Sequence, residues 1–175
     1  ENGFSVSPQS LEQYKEMFKT QIENASLAVF SGSLPLGVPA DFYAECIEIA
    51  KSKGVRTILD ADGEPLKRGL KAIPYAVKPN IHELEAVIGR KLRTKKEVLD
   101  AARELLETGI EIIIVSMGAD GAVIADRNEA FSSETWHADI KSTVAAGDSM
   151  VGALAFAVLS EKSLNEIAKT AQSPE

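Results

Sequence analysis

Residues 110–116, Ile-Glu-Ile-Ile-Ile-Val-Ser, form an almost unbroken apolar run directly behind residues 94–109, which carry a strong helical pattern. A strand with one wet face alternates apolar and polar side chains. A run like this one is covered on both faces, the signature of a parallel sheet flanked by helices. That single feature limits the chain to few architectures, and the remaining segments repeat the same order.

Residues 7–25 place Leu11, Tyr14, Phe18 and Ile22 at spacings of three and four behind Ser10, a possible N-cap, and predict an amphipathic helix. A short apolar run at 26–30 follows. Residues 39–54 repeat the helical pattern and stop at Gly54; residues 55–63 then read as a strand with Asp60 and Asp62 at its carboxyl end. A third short strand at 75–80, a short helix at 81–89, the helix at 94–109 and the strand at 110–118 complete the alternation. Residues 121–136 suggest a hairpin turning at Arg127-Asn128, followed by a helix from Gly147 to about Leu159 and a short one at 163–171. The predicted stripe of that longer helix is Val151, Leu154, Ala155, Val158 and Leu159. The fold class expected is α/β with a mainly parallel sheet covered on both faces.

With 175 residues, 45% of them hydrophobic, the default is one domain with one sizeable core. A net charge of -7 disfavours nonspecific attraction to nucleic acid or an anionic membrane, while leaving room for a local phosphate pocket. The one cysteine, Cys46, lies in a helical pattern and suits a reducing compartment; the two histidines and this cysteine make no zinc spacing. No apolar run approaches the roughly 20 residues that span a bilayer, so a cytoplasmic location is expected.

In parallel sheets ligands collect at the carboxyl ends of strands. Four such ends carry unusual residues: Ser31-Gly32-Ser33, Asp60 with Asp62, Lys78-Pro79-Asn80, and Ser116 to Gly121. Any one of them is explained as a solvated loop, whereas all four together are not. Residues 116–123, Ser-Met-Gly-Ala-Asp-Gly-Ala-Val, read as a β-turn or as a glycine loop whose amides approach a nucleotide, and no P-loop or dinucleotide fingerprint is present. Asn80 and Glu83 have capping-box spacing, yet Lys78 and Asn80 could also reach phosphate oxygens, and Glu83 could order water around magnesium. His82 is expected to pack or to face solvent. Ser31 and Ser33, on either side of Gly32, suit hydrogen bonding to a polyol.

The last long helix opens on Ala145-Ala146-Gly147-Asp148. Asp148 could be a simple cap. The small residues leave room for a guest, however, and the amides of Ala146, Gly147 and Asp148 at a helix amino terminus would cradle a phosphate, with Asp148 placed to accept a proton from an attacking hydroxyl.

Residues 142–155, STVAAGDSMVGALA, closely resemble the C-terminal signature of the ribokinase-like carbohydrate kinases, and SGSLPLG, DADGEPL, VKPNIHELE and VSMGADGA match the same family in the same order, from about Val6 to Ala171. The sequence looks most similar to the family's sugar-phosphate branch, of the phosphofructokinase B type. This resemblance implies a three-layer α/β sandwich and an ATP- and Mg2+-dependent kinase acting on a hexose phosphate: fructose 1-phosphate, fructose 6-phosphate or tagatose 6-phosphate. By position it makes Asp148 the catalytic base and Ala145, Ala146 and Gly147 the anion hole. It assigns Lys78, Asn80, Ser116, Gly118 and Gly121 to ATP and Ser33 to the sugar phosphate. Glu83 falls on the N-x-x-E acid associated with magnesium, and Ser142 and Val144 fall where the family often holds a monovalent cation such as K+. The resemblance further implies that residues 1–175 are the C-terminal portion of one kinase domain, without the N-terminal part and lid, from a protein able to form a homodimer.

One departure is Ala145, which replaces the first glycine of G-A-G-D; where that position needs positive φ, the added methyl costs roughly 1 kcal/mol or more. Two rivals follow. A noncatalytic nucleotide- or sugar-phosphate-binding module fits Ala145 and the short chain. An oxidoreductase on a Rossmann-like sheet would need a G-x-G-x-x-G that the sequence lacks.

Overall fold

The structure is a computed structural model in which residues 5–133, 143–162 and 166 are described. The chain divides into two compact units, Glu1–Tyr75 and Ala76–Glu175.

The first unit contains α1 (Pro8–Gln21), β1 (Leu27–Ser31), α2 (Phe42–Ser52), β2 (Arg56–Asp60) and α3 (Gly63–Lys71). The cap of α1 is Ser7, not Ser10: its Oγ accepts a hydrogen bond from Ser10 N at 3.1 Å. Pro8 follows at the first helical position, where its missing N–H costs nothing and its fixed φ is already helical. Strands β1 and β2 pair in parallel from Leu27 opposite Arg56 to Ser31 opposite Asp60. Ile47 and Ala50 of α2 and Ile58 and Leu59 of β2 are wholly buried. On the α1 side the core is aromatic, with Tyr14 and Phe18 meeting Phe42 and Phe30 at ring centroid distances of 5.6 and 5.9 Å.

Helix α3 was not anticipated. Its sequence, GEPLKRGLK, supplies only Leu66 and Leu70 as apolar residues one turn apart, and both are buried. Packing on β2 makes the helix worthwhile and is close at Gly69, where a Cβ would lie 2.6 Å from Leu59 Cδ2 and the leucine would have to shift. The chain leaves α3 through Ile73, a β-branched residue at φ 55°, whose N–H bonds to Leu70 O at 3.0 Å. That conformation is a strained way to end a helix.

The second unit contains β3 (Ala76–Val77), α4 (Ile81–Ile88), α5 (Lys95–Leu106), β4 (Ile112–Ser116), β5 (Ala122–Ala125), β6 (Ala130–Ser133) and α6 (Thr143–Leu159). Strands β3 and β4 are parallel, as expected, and β5 and β6 add antiparallel pairs beyond them. Ile113, Ile114 and Val115 are at most 1% exposed, confirming that β4 is covered on both faces. The hairpin turns at Arg127-Asn128, where Asp126 Oδ1 accepts from the N–H groups of Asn128 and Glu129 at 2.7 Å each. Both α4 and α5 begin with complete capping boxes, Asn80 with Glu83 and Thr94 with Glu97.

Helix α6 starts at Thr143, four residues before the expected Gly147. Val151, Leu154 and Val158 of its predicted stripe are buried, but Leu159 is 54% exposed, because a helix face turns away from the core at its end. The expected helix at 163–171 falls outside the described residues except for Glu166, which is helical. Among the described residues no helix is long and apolar enough to cross a membrane.

Candidate active site

Two polar clusters stand at strand ends, one in each unit. In the second unit, Pro79 ends β3 because it cannot donate to a sheet ladder. The chain then runs beside the end of β4: Ser116 N donates to Pro79 O at 3.1 Å, and Asn80 and Ser116 form an isolated parallel bridge. Lys78, 6% exposed, is thereby drawn into the interior. A Cβ built on Gly147 would stand 3.9 Å from Lys78 Nζ, so the ammonium lies against the amino-terminal part of α6. Three segments separated by dozens of residues thus meet at one spot.

The turn after β4 is shaped by its backbone. Met117 N bonds to Gly121 O at 2.9 Å and Gly121 N to Gly118 O at 3.1 Å, while φ is +59° at Gly118 and +89° at Gly121. Both positions fall where a side chain is strained. Glu83 Oε2 accepts from Asn80 N at 2.7 Å, and Asn80 Oδ1 accepts from Glu83 N at 2.9 Å. The capping reading of this pair is correct. His82 faces solvent, with an 84% exposed side chain 3.6 Å from Glu85.

In the first unit, Ser31 Oγ bonds to Asp60 Oδ2 at 3.1 Å, Gly32 N donates to Asp60 O at 2.9 Å, and Ser33 Oγ lies 3.5 Å from Asp62 Oδ2. Ser31, Gly32 and Ser33 are all exposed. Sequence reasoning missed Tyr43, whose hydroxyl donates to the carbonyls of Ser31 and Gly32 at 3.2 and 3.1 Å. Nothing in a helical pattern signals where a phenol ends. Burial raises the Cys46 thiol to about 12, ahead of a smaller push from Glu45, so this cysteine is protonated and inert at neutral pH.

The structure therefore brings together Lys78, Asn80, Glu83, Ser116 and Gly147, with Gly118 and Gly121 in the adjoining turn. Ser33 belongs to the other unit. Val144, Ala145, Ala146 and Asp148 lie within α6, and Ser142 falls outside the described residues.

The 1-phosphofructokinase of Escherichia coli strain K12 is 37% identical over 162 residues, 93% of this chain and 52% of that protein. The structure of Escherichia coli phosphofructokinase-2 in complex with fructose-6-phosphate superposes with a TM-score of 0.87 at 32% identity, covering 98% of this chain and 56% of that one. The structure of the same enzyme in complex with potassium gives 0.87 at 33% identity, covering 96% and 55%. The chain spans about half the length of the relatives it matches. The expected ribokinase-like α/β fold is thus confirmed. Since the family model for pfkB family carbohydrate kinases also matches residues 4–173, the chain belongs to that family.

Proposed function

We propose that the protein bearing this chain transfers the γ-phosphoryl group of ATP to a primary hydroxyl of a hexose phosphate, with fructose 1-phosphate, fructose 6-phosphate and tagatose 6-phosphate as the candidate acceptors. The observation that carries this reading is the convergence of Lys78, the Asn80–Ser116 bridge and Gly147 at one strand-end site. A nearly buried ammonium beside glycine backbone and a helix start is chemistry suited to a phosphate chain.

In this reading Lys78 and Asn80 hold phosphate oxygens, and the amides along Ser116–Gly121 approach the nucleotide where Gly118 and Gly121 expose the backbone. Glu83 orders water on Mg2+, whose charge would offset that of the phosphates. Asp148 takes the proton from the acceptor hydroxyl, and Ser33 holds the sugar phosphate. Ala145, Ala146 and Gly147 form the anion hole. Ser142 and Val144 contribute to a K+ site. Residues 1–175 form part of one domain of a cytoplasmic enzyme that pairs as a homodimer.

A second reading, a noncatalytic binding module, is favoured by Ala145, which stands where the family signature has glycine. Turnover by the longest natural chain containing these residues separates the two. With Mg2+, ATP and each of the three sugar phosphates, Asp148→Asn is expected to lower kcat by about 10²–10⁴-fold. Full activity in that variant would remove Asp148 as the base. ATP binding with no turnover in the parent would favour the module.

A further inference from the structure

We infer that Tyr43 is a positioning residue for the turn that carries Ser33; this rests on the kinase reading above. Tyr43 lies on α2, is 8% exposed, and directs its hydroxyl out of the aromatic core to two consecutive carbonyls, those of Ser31 and Gly32. Its ring is held by Phe30 and Phe42, at centroid distances of 5.8 and 6.1 Å. The anchor point is therefore set by the core and not by the loop.

The turn needs such an anchor. Gly32 sits at φ +93° with nothing within 4 Å of where a Cβ would be, so neither sterics nor a side chain restricts it. On one side it is tied to Asp60 through Gly32 N and Ser31 Oγ. The Gly32 N bond orients the Ser31–Gly32 peptide plane, and the Ser31 carbonyl with it, but not the Gly32–Ser33 plane that carries the Gly32 carbonyl. The Tyr43 hydroxyl, shared between both oxygens, reinforces the first plane and sets the second, and with it the direction in which Ser33 leaves the turn. Burial pushes the phenol above its ordinary pKa, with Tyr14, Cys46 and the acids Asp62 and Asp60 adding to the shift, so the donor keeps its proton across the working range.

Tyr43→Phe removes the donor and keeps the ring. In the longest natural chain containing these residues, the KM for the sugar phosphate is expected to rise about fivefold, the value of one neutral hydrogen bond, while the KM for ATP stays within about twofold. Amide hydrogen exchange in a peptide covering residues 31–36 should accelerate by a similar factor, with peptides inside α2 unchanged. Tyr14→Phe, which deletes an exposed hydroxyl from the same aromatic cluster, should alter neither readout. Unchanged exchange at 31–36, or equal increases in both KM values, overturns the positioning role while leaving the kinase reading intact. A parent protein with no turnover on any of the three sugar phosphates overturns the kinase reading, and this inference with it.

Discussion

The two strand-end clusters are built from opposite materials. The one in the first unit consists of exposed side-chain hydroxyls and carboxylates, Ser31, Ser33, Asp60 and Asp62, arranged around a turn that a distant tyrosine fixes. The one in the second unit consists of a nearly buried ammonium, backbone amides and two glycines whose φ angles determine the turn by themselves. Acceptor-rich, hydrated groups suit a ligand bearing hydroxyls. Donor-rich, desolvated groups suit a ligand bearing negative charge, because an ion pair gains strength as water is excluded. One family of folds can therefore present a polyol and a nucleotide with two kinds of loop on similar strand ends.

That contrast breaks most sharply at Lys78. Lys78→Met keeps the volume and removes the charge, and loss of a charge-assisted bond of about 2–3 kcal/mol should lower kcat/KM for ATP by about two orders of magnitude. The KM for the sugar phosphate should stay within about twofold. Steady-state kinetics with each substrate varied in turn decides it, and a variant that loses both affinities equally would erase the division of labour.

Gly121→Ala tests the claim that the second turn is determined by its backbone. At φ 89° and ψ −138° an alanine is held in a region that glycine alone visits freely, for a cost of about 2 kcal/mol. Denaturant unfolding should show the midpoint falling with the slope unchanged. A midpoint that does not move would mean that the turn relaxes to another shape. Ser33→Ala is the counterpart in the first unit, expected to cost about 1 kcal/mol of sugar-phosphate binding, a roughly fivefold rise in KM, with no loss of stability.

How far these clusters could be read from the sequence follows from what determines each. Ile113, Ile114 and Val115 announced a covered strand because burial on both faces leaves a local trace. Asn80 with Glu83 and Asp126 before Arg127-Asn128 were legible because caps and turns are decided within four residues. Helix α3 was not, since Gly63, Pro65 and Gly69 read as breakers until the contact of Gly69 with Leu59 is known. The anchor at Tyr43 and the approach of Lys78 to Gly147 are products of tertiary packing, and no periodicity records them. The start of α6 at Thr143 was hidden by Thr143 and Val144, β-branched residues that favour extended chain in isolation.

The smallest effect expected concerns surface charge, which sets neither cluster. Glu85, near the end of α4, accepts from Lys91 Nζ at 2.7 Å and from Leu92 N at 2.9 Å, and these bonds, led by the one from Lys91, hold its pKa below the usual glutamate value. The bond from Lys96 lowers Asp100 on α5, and in the first unit Lys53 lowers Glu23. A carboxylate with a depressed folded pKa contributes stability above its unfolded pKa, near 4, and loses it as acid approaches the folded value, because the unfolded chain takes up the proton first. Thermal stability should therefore fall below about pH 4.5, and added salt should shrink the change, since such pairs are screened. Glu85→Gln should flatten the acid limb slightly and leave both KM values alone. If the variant softens in acid as steeply as its parent, the sensitivity belongs to other carboxylates, and Asp100 and Glu23 become the next to substitute.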